Sequence, residues 1–516
     1  MKAKEIQGRL AEIAEMSIFE QGRELDALKK ECTAAGNPVT KKVLETALRR
    51  LIKVRDADEK ADEKAAVSSA LSTLVAELNM EFFVIEAGSK VRIGHWVKEP
   101  TGRKDEGGDD EMREVLNLLT THDFSTLVAN VVAQGPDGPI PAGEAWLVHP
   151  ERSWYRGTIL APNGPVPDGY LNLWRGYGVK PKEGPCDLIL NHIRDVICAG
   201  DVQTYEYNLD WIALKVQQPE RVMGTMPILI SAQGAGKGII FDDLMMRIFG
   251  QHGVVIEDSS QLIGKFNKHL MDACYVFADE CFFVGDRRGA QKLKRRVTGK
   301  TILLEAKGVD TITVLSALGI VAATNEEHAL DVEVKERRYI VQRCNDDRRG
   351  DRAYFEALAG HIQGDGAAHF LDKMLKRDVS AFDPEHDRPL TDDTIKQREL
   401  SLHGIHRFWA EVVEEGLFPI RPDTPTTFEG WAKVAEHTWA DGGLRVSRRS
   451  FRDAFLEWAR KTQGEGYNDT QPKRMWSRLR EVAVFEDDGG NGQDRKVWFA
   501  SLPEQVEKLG GFLCAR

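Results

Sequence analysis

Apolar positions change period several times along the chain, and each change marks an element. Lys2 to Glu77 carries Ala, Leu and Ile among Glu and Lys at helical spacing, broken at Gly36-Asn37-Pro38, which predicts a helical N-terminal region. Lys53 to Lys64 within it is charged and reads as a solvated face. Phe82 to Val97 alternates and turns at Gly88, which predicts a strand pair. Thr101 to Glu114, with Gly107, Gly108 and several acids, has loop composition. Cys186 to Gln217 reads as two helices separated by Ala199-Gly200-Asp201, with Leu209, Ile212, Ala213 and Val216 facing inward from the second.

From Met226 to Cys344 the apolar runs become short and continuous: Pro227–Ile230, Cys274–Ala278, Leu318–Thr324 and Tyr339–Val341. Runs of this length predict strands buried on both faces of a parallel sheet. Between them, Ile239 to Phe249 places Ile240, Leu244, Met245 and Ile248 on one helical face. Gly289 to Val297 is a basic helix, and Thr301–Glu305 with Thr311–Leu315 reads as a hairpin. The chain turns polar after Asp383-Pro384. Helices follow at Leu402–Glu415, Ser447–Lys461 with Ser447 as N-cap, and Pro472–Val482. Val484–Glu486 and Lys496–Phe499 then flank the turn Gly489-Gly490-Asn491-Gly492. Helix, helix, hairpin is a winged-helix pattern, which binds duplex DNA or packs. The expected class is α/β, divided as 1–80 helical, 81–200 aromatic-rich α+β, 201–383 a parallel-sheet core, and 384–516 a helical linker with a winged-helix-like domain.

Length and composition narrow the class. At 516 residues and 42% apolar content the chain has room for about three globular domains. No run of about twenty apolar residues occurs and Met1 to Glu5 has no hydrophobic signal core, so a soluble protein without a membrane partner, in the cytoplasm or a host's cytoplasm, is expected. Seven cysteines without a Cys-x-x-Cys pair predict reduced thiols rather than zinc or disulfides. The first two hundred residues hold no zinc-ligand cluster and no separate acidic catalytic constellation, which argues against primase chemistry there. The net charge of −11 disfavours nucleic acid only on average, because binding needs a local basic strip. Arg287, Arg288, Lys292, Lys294, Arg295, Arg296, Lys300 and Lys307 form one, with Glu305 as its single acid. Trp146, Trp154, Tyr155, Tyr170, Trp174 and Tyr177, interleaved with Arg152, Arg156 and Arg175, either fill a satellite core or stack unpaired bases. Thr40 to Leu51 is either a packing helix or the second helix of a helix-turn-helix.

The chemistry concentrates in the central segment. The turn Ser231-Ala232-Gln233-Gly234-Ala235-Gly236-Lys237-Gly238 sits between a strand and a helix that opens near Ile239. This is the context of a phosphate-binding loop, in which glycines let N–H groups point inward and Lys237 reaches the β and γ phosphates of ATP. Gly where Ser231 stands and a hydroxyl residue where Gly238 stands would complete the usual pattern. The second apolar run ends in Asp279-Glu280: Asp279 would hold Mg²⁺ and Glu280 would polarise the attacking water. The third ends in Asn325, whose amide could orient that water. Arg337-Arg338 is either surface salt bridging or, in a ring of subunits, an arginine finger on a neighbour's γ-phosphate, an effect on the order of 10³ to 10⁵ in rate.

Taken in order, these signals resemble a superfamily three helicase of the AAA+ class. More narrowly, Gln233–Gly238, Phe277–Glu280, Val297-Thr298-Gly299, Ala306-Lys307-Gly308 and Ala323–Glu326 resemble the helicase module of phage and plasmid primase-helicase proteins. That family also tends to carry Gly after the lysine, whereas Ser231 and Ile239 depart from its hydroxyl and glycine pattern. The resemblance implies an ATP- and Mg²⁺-dependent, ring-forming, homo-oligomeric and hexameric DNA helicase of phage or mobile-element replication. It makes Lys307, on the hairpin tip, a DNA-gripping residue, with Lys292, Lys294, Arg295 and Arg296 behind it. Two alternatives stay open: an ATP-binding DNA initiator or regulator that does not unwind, and a nucleotide-kinase-like phosphotransferase.

Overall fold

The computed structural model describes residues 2–87, 90–104, 110–135, 138–265, 267–280, 287–306, 309–420, 432–434, 439, 442–463, 471–489 and 495–515. The fold is mixed α/β, in two compact units: Met1–Lys98 with Glu114–Arg156, and Glu99–Arg113 with Gly157–Arg516.

In the first unit, helices Ala3–Ala14, Ile18–Ala34 and Lys41–Glu81 bury Leu10, Ile13, Leu25, Leu28, Leu44 and Leu48 against one another. The helix opening at Lys41 runs 41 residues and packs on the other two, so Thr40 to Leu51 serves as a packing segment. A second core gathers Val75, Phe82, Val84, Ile93, Phe124 and Trp146. The Trp146 indole donates to Asn79 Oδ1 at 2.9 Å, which satisfies the one polar atom its burial would otherwise strand. Strands Phe82–Ala87 and Lys90–Lys104 pair antiparallel with Val84 opposite Ile93, as their alternation predicts. The loop composition of Thr101 to Glu114 misleads at its two ends, where strand continues to Lys104 and resumes at Asp110; 105–109, with Gly107 and Gly108, lie outside the described residues.

The second unit is built on five strands: β1 Met226–Ile230, β2 Gly253–Ile256, β3 Tyr275–Asp279, β4 Gly319–Thr324 and β5 Tyr339–Arg343. All pair parallel, in the order β2-β3-β4-β1-β5. β1 and β4 are buried along their whole length, the pattern of a sheet covered on both faces. One face packs on helix Val202–Gln217, where Leu209, Ile212, Ala213 and Val216 are buried as expected. From β1 the chain crosses to β2 on one side, and from β4 to β5 on the other. The carboxyl ends of β1 and β4 therefore flank a topological switch point, where such sheets leave a crevice.

Helix Arg287–Thr298 buries Leu293 and Val297, and hairpin strands Thr301–Ala306 and Val309–Leu315 follow it. The last third of the chain has its own core of Trp409, Trp439, Phe451, Trp476, Leu479 and Phe499. There, helices Arg448–Gln463 and Pro472–Val482 precede strands Phe485–Asp487 and Lys496–Phe499, and Leu444–Ser447 adds a third antiparallel strand. Helix Asp392–Leu400 joins this part to the sheet: buried Arg398 donates to the carbonyls of Leu513 and Ala515, at 2.6 and 2.8 Å, and to that of Glu336. Among the described residues no helix is long and apolar enough to cross a membrane.

Candidate functional site

Lys237, Glu280 and Asn325 meet at the switch point. β1 ends at Ile230, and Gly234 and Gly236 adopt φ of +85° and +98°, which only glycine reaches without strain. Gln233 and Gly234 are exposed, Ala235 is buried, and Gly238 and Ile239 are half-buried at the start of the helix. A π-helical turn, Ile239–Leu244, leads into helix Met245–Phe249, with Ile240, Leu244, Met245 and Ile248 buried. Helical backbone is continuous from Lys237, so the N–H groups left without an intrahelical acceptor are those of the turn that begins there.

Lys237 is 9% exposed, and burial holds its ammonium below the ordinary lysine value, opposed by the charge of Asp279. Its Nζ donates to Asn325 Oδ1 at 2.8 Å, and Asn325 Nδ2 donates to Glu280 Oε1 at 2.7 Å. An ammonium only donates and a carboxylate only accepts, so the amide has a single orientation that serves both. Three strand ends thus meet in one hydrogen-bonded chain, and Asn325 is its bridge. Glu280 sits at φ +52°, a strained position for a residue with a side chain, and its N–H is held by Ala323 O at 2.9 Å.

Asp279 Oδ1 is buried and, among the described residues, has no hydrogen-bond partner, and burial raises the carboxyl above its usual value, with Lys237 opposing. A buried acceptor left open beside a phosphate-type loop fits a divalent cation. Gly238 has no side chain to add, and Ser231 Oγ is spent on Ala232 O, so Asp279 is the protein ligand in view.

The other residues distribute differently. Arg338 and Lys294 both close on the buried Glu336 carboxylate, at 2.7 and 2.9 Å, and the N–H groups of Arg337 and Arg338 donate to it as well. Burial alone would raise Glu336; Lys294 and Arg338 outweigh it and hold the carboxyl below its usual value. Arg337 is 69% exposed, 3.7 Å from Glu385. Arg296 is half-buried with Nε on Leu262 O, whereas Lys292 and Arg295 are exposed. Lys307 and Gly308 lie outside the described residues.

Two features carry no signal that the sequence reading used. Arg343, at the end of β5, forks onto both oxygens of Glu327, and Lys396 joins them, pulling Glu327 down to about 2; this ties the segment after Asn325 to β5. His192, read only as part of an apolar helix, lies fully buried with Nε2 3.2 Å from Gly236 O.

Comparison with known proteins finds one family model, one curated relative and several solved structures. Residues 229–338 match a family of unknown function (DUF5906). The chain is related, at 26% identity over 184 residues, to the DNA primase-polymerase of Nitratiruptor phage NrS-1; the match covers 34% of this chain and only 25% of that protein's length. The apo structure of the NrS-1 C-terminal region (305–718) superposes with a TM-score of 0.54 at 16% identity, over 83% of this chain and 98% of that one. A second form of that region gives 0.52 at the same coverage. This chain therefore shares its fold with the C-terminal region of a phage primase-polymerase.

Proposed function

We propose that the chain is an ATP-dependent, ring-forming DNA helicase serving replication of a phage or other mobile element. The observation that carries this is the hydrogen-bonded chain Lys237–Asn325–Glu280 at a parallel-sheet switch point, beside an open acceptor on Asp279. The strand order supports it, because β4, which ends before Asn325, lies between β1 and β3 and so sets the amide between the loop and Glu280. The relation to a phage primase-polymerase supports a role in DNA replication.

In this reading the loop N–H groups and Lys237 hold the phosphates of ATP, and Asp279 holds Mg²⁺, which when bound offsets phosphate charge. Lys237 turns from Asn325 to the phosphates, which frees the amide to position water for Glu280. Arg337 supplies the arginine toward a neighbouring subunit, since Arg338 neutralises Glu336. Lys307 with Lys292 and Arg295 grips single strands, and the winged-helix-like end adds a duplex contact. A non-hydrolysing initiator is the second reading, favoured by the missing hydroxyl at Gly238.

Nucleotide binding and turnover of two variants separate them. Lys237→Ala should lose ATP binding, while Glu280→Gln should bind ATP and hydrolyse it at least a hundredfold more slowly, on the order of a lost general base. Turnover by Glu280→Gln at the wild-type rate contradicts the assignment, and a wild type that binds without turnover favours the initiator.

A further inference from the structure

We infer that His192 is a positioning residue for the phosphate loop, fixing the Gly236–Lys237 peptide so that the Lys237 N–H faces the phosphates; this rests on the ATP reading above. His192 ends helix Asp187–His192 and is 0% exposed. Its Nε2 lies 3.2 Å from Gly236 O and its Nδ1 lies 3.0 Å from the Tyr354 hydroxyl.

The proton positions follow from what each partner can do. A carbonyl only accepts, so Nε2 carries a hydrogen and donates it. Burial disfavours the charged ring, against the opposing pull of the Gly236 carbonyl, and a neutral ring has one N–H. Nδ1 therefore accepts from Tyr354. Tyr354 is itself held: Asp351 caps its helix by accepting the Tyr354 N–H at 3.1 Å, and the Arg348 guanidinium lies 4.7 Å from the centre of its ring. Phe355 meets the imidazole edge-on at 6.0 Å between ring centres.

The consequence for the loop is geometric. In a planar trans peptide the C=O and N–H point in opposite directions. With the Gly236 carbonyl drawn to His192, the N–H of Lys237 points away from the imidazole, into the cradle, where the opening of a helix adds positive potential. The contact is close enough to demand glycine: a Cβ on Gly236 would stand 2.8 Å from His192 and 2.7 Å from Phe355. A histidine that merely completes a core would have no stake in which way that peptide faces.

The test uses the full chain and a fluorescent ATP analogue, with inorganic tripolyphosphate and adenosine as competitors. His192→Phe keeps the ring's bulk and removes the donor; His192→Gln brings an amide donor to about the place of Nε2. His192→Phe should weaken ATP analogue and tripolyphosphate by about tenfold, with adenosine competition unchanged, and His192→Gln should recover most of that loss. Tyr354→Phe frees the ring proton to move to Nδ1 and should weaken tripolyphosphate by about threefold; it carries the test alone if His192→Phe does not fold. Tripolyphosphate binding unchanged in His192→Phe, or in Tyr354→Phe where that variant stands alone, overturns the inference, as does equal loss of adenosine and tripolyphosphate. Lys237→Ala is the control: if it binds the ATP analogue as well as wild type, the nucleotide reading falls with the inference, whereas loss in Lys237→Ala alone removes only the role of His192.

Discussion

Asn325 is the residue on which the site turns, because its two amide ends join a cation and a carboxylate. Asn325→Ala should leave ATP binding within a few fold and lower hydrolysis by roughly tenfold to a hundredfold, on the scale of one oriented group in a site of this kind; single-turnover measurements against equilibrium binding check it. Asp279, Glu280 and Asn325 were legible as neighbours at the strand ends because each ends or follows a continuous apolar run, whereas Lys237 was read from the glycine-rich turn between strand and helix. His192 was not, since a lone histidine within Leu188-Ile189-Leu190-Asn191-His192 has the look of helix interior. The arginine pair was half legible: its position was evident, but that Arg338 serves Glu336 depends on Lys294, distant in sequence. Glu336 has a carboxyl held below its ordinary 4.5, so its contribution to stability is complete above that value and is lost as pH falls through the lowered native one. Glu336→Gln should therefore cost ~1–3 kcal/mol at neutral pH, and the gap from wild type should narrow as the pH drops below 4.5. Urea melts at stepped pH measure this, and a constant gap would show that the carboxylate charge is irrelevant.

At the scale of elements, helices and strands with pure patterns came through: the basic helix, the hairpin after it and four of the five core strands fall where the apolar runs put them. The strand Gly253–Ile256 escaped because Val254-Val255-Ile256 is too short to stand out and gains its strand character only by pairing with Tyr275–Ala278. The residues up to Lys104 and from Asp110 misled for the converse reason, as their composition reads as loop while the backbone is strand. Helix Arg287–Thr298 divides its basic residues by depth, Lys294 inward and Lys292 and Arg295 outward. Lys292→Ala and Arg295→Ala should each lower the slope of log affinity against log salt for single-stranded DNA by about 0.7, with melting unchanged. Lys294→Ala should do the opposite, lowering stability with little change in slope. Fluorescence anisotropy across a salt series, beside thermal melts, decides between them; equal slopes for all three would remove this helix from the DNA contact.

For the whole molecule, an arginine finger in trans requires subunits that share a site. Arg337 is exposed and stands at the start of β5, while the loop lies at the opposite, carboxyl ends of the strands, so one chain does not bring them together along the sheet. Mixing Arg337→Ala with Lys237→Ala should then restore some hydrolysis through interfaces that combine an intact loop with an intact arginine, and no recovery at any ratio, with assembly shown by mass in solution, would count against a shared site. The most direct measurement of the central claim is ATP hydrolysis by the full chain with and without single-stranded DNA. The account predicts hydrolysis that rises severalfold with DNA, vanishes in Lys237→Ala and loses its DNA response in Lys307→Ala while the DNA-free rate persists. Hydrolysis indifferent to DNA, or stimulated instead by a free nucleoside monophosphate, would contradict it.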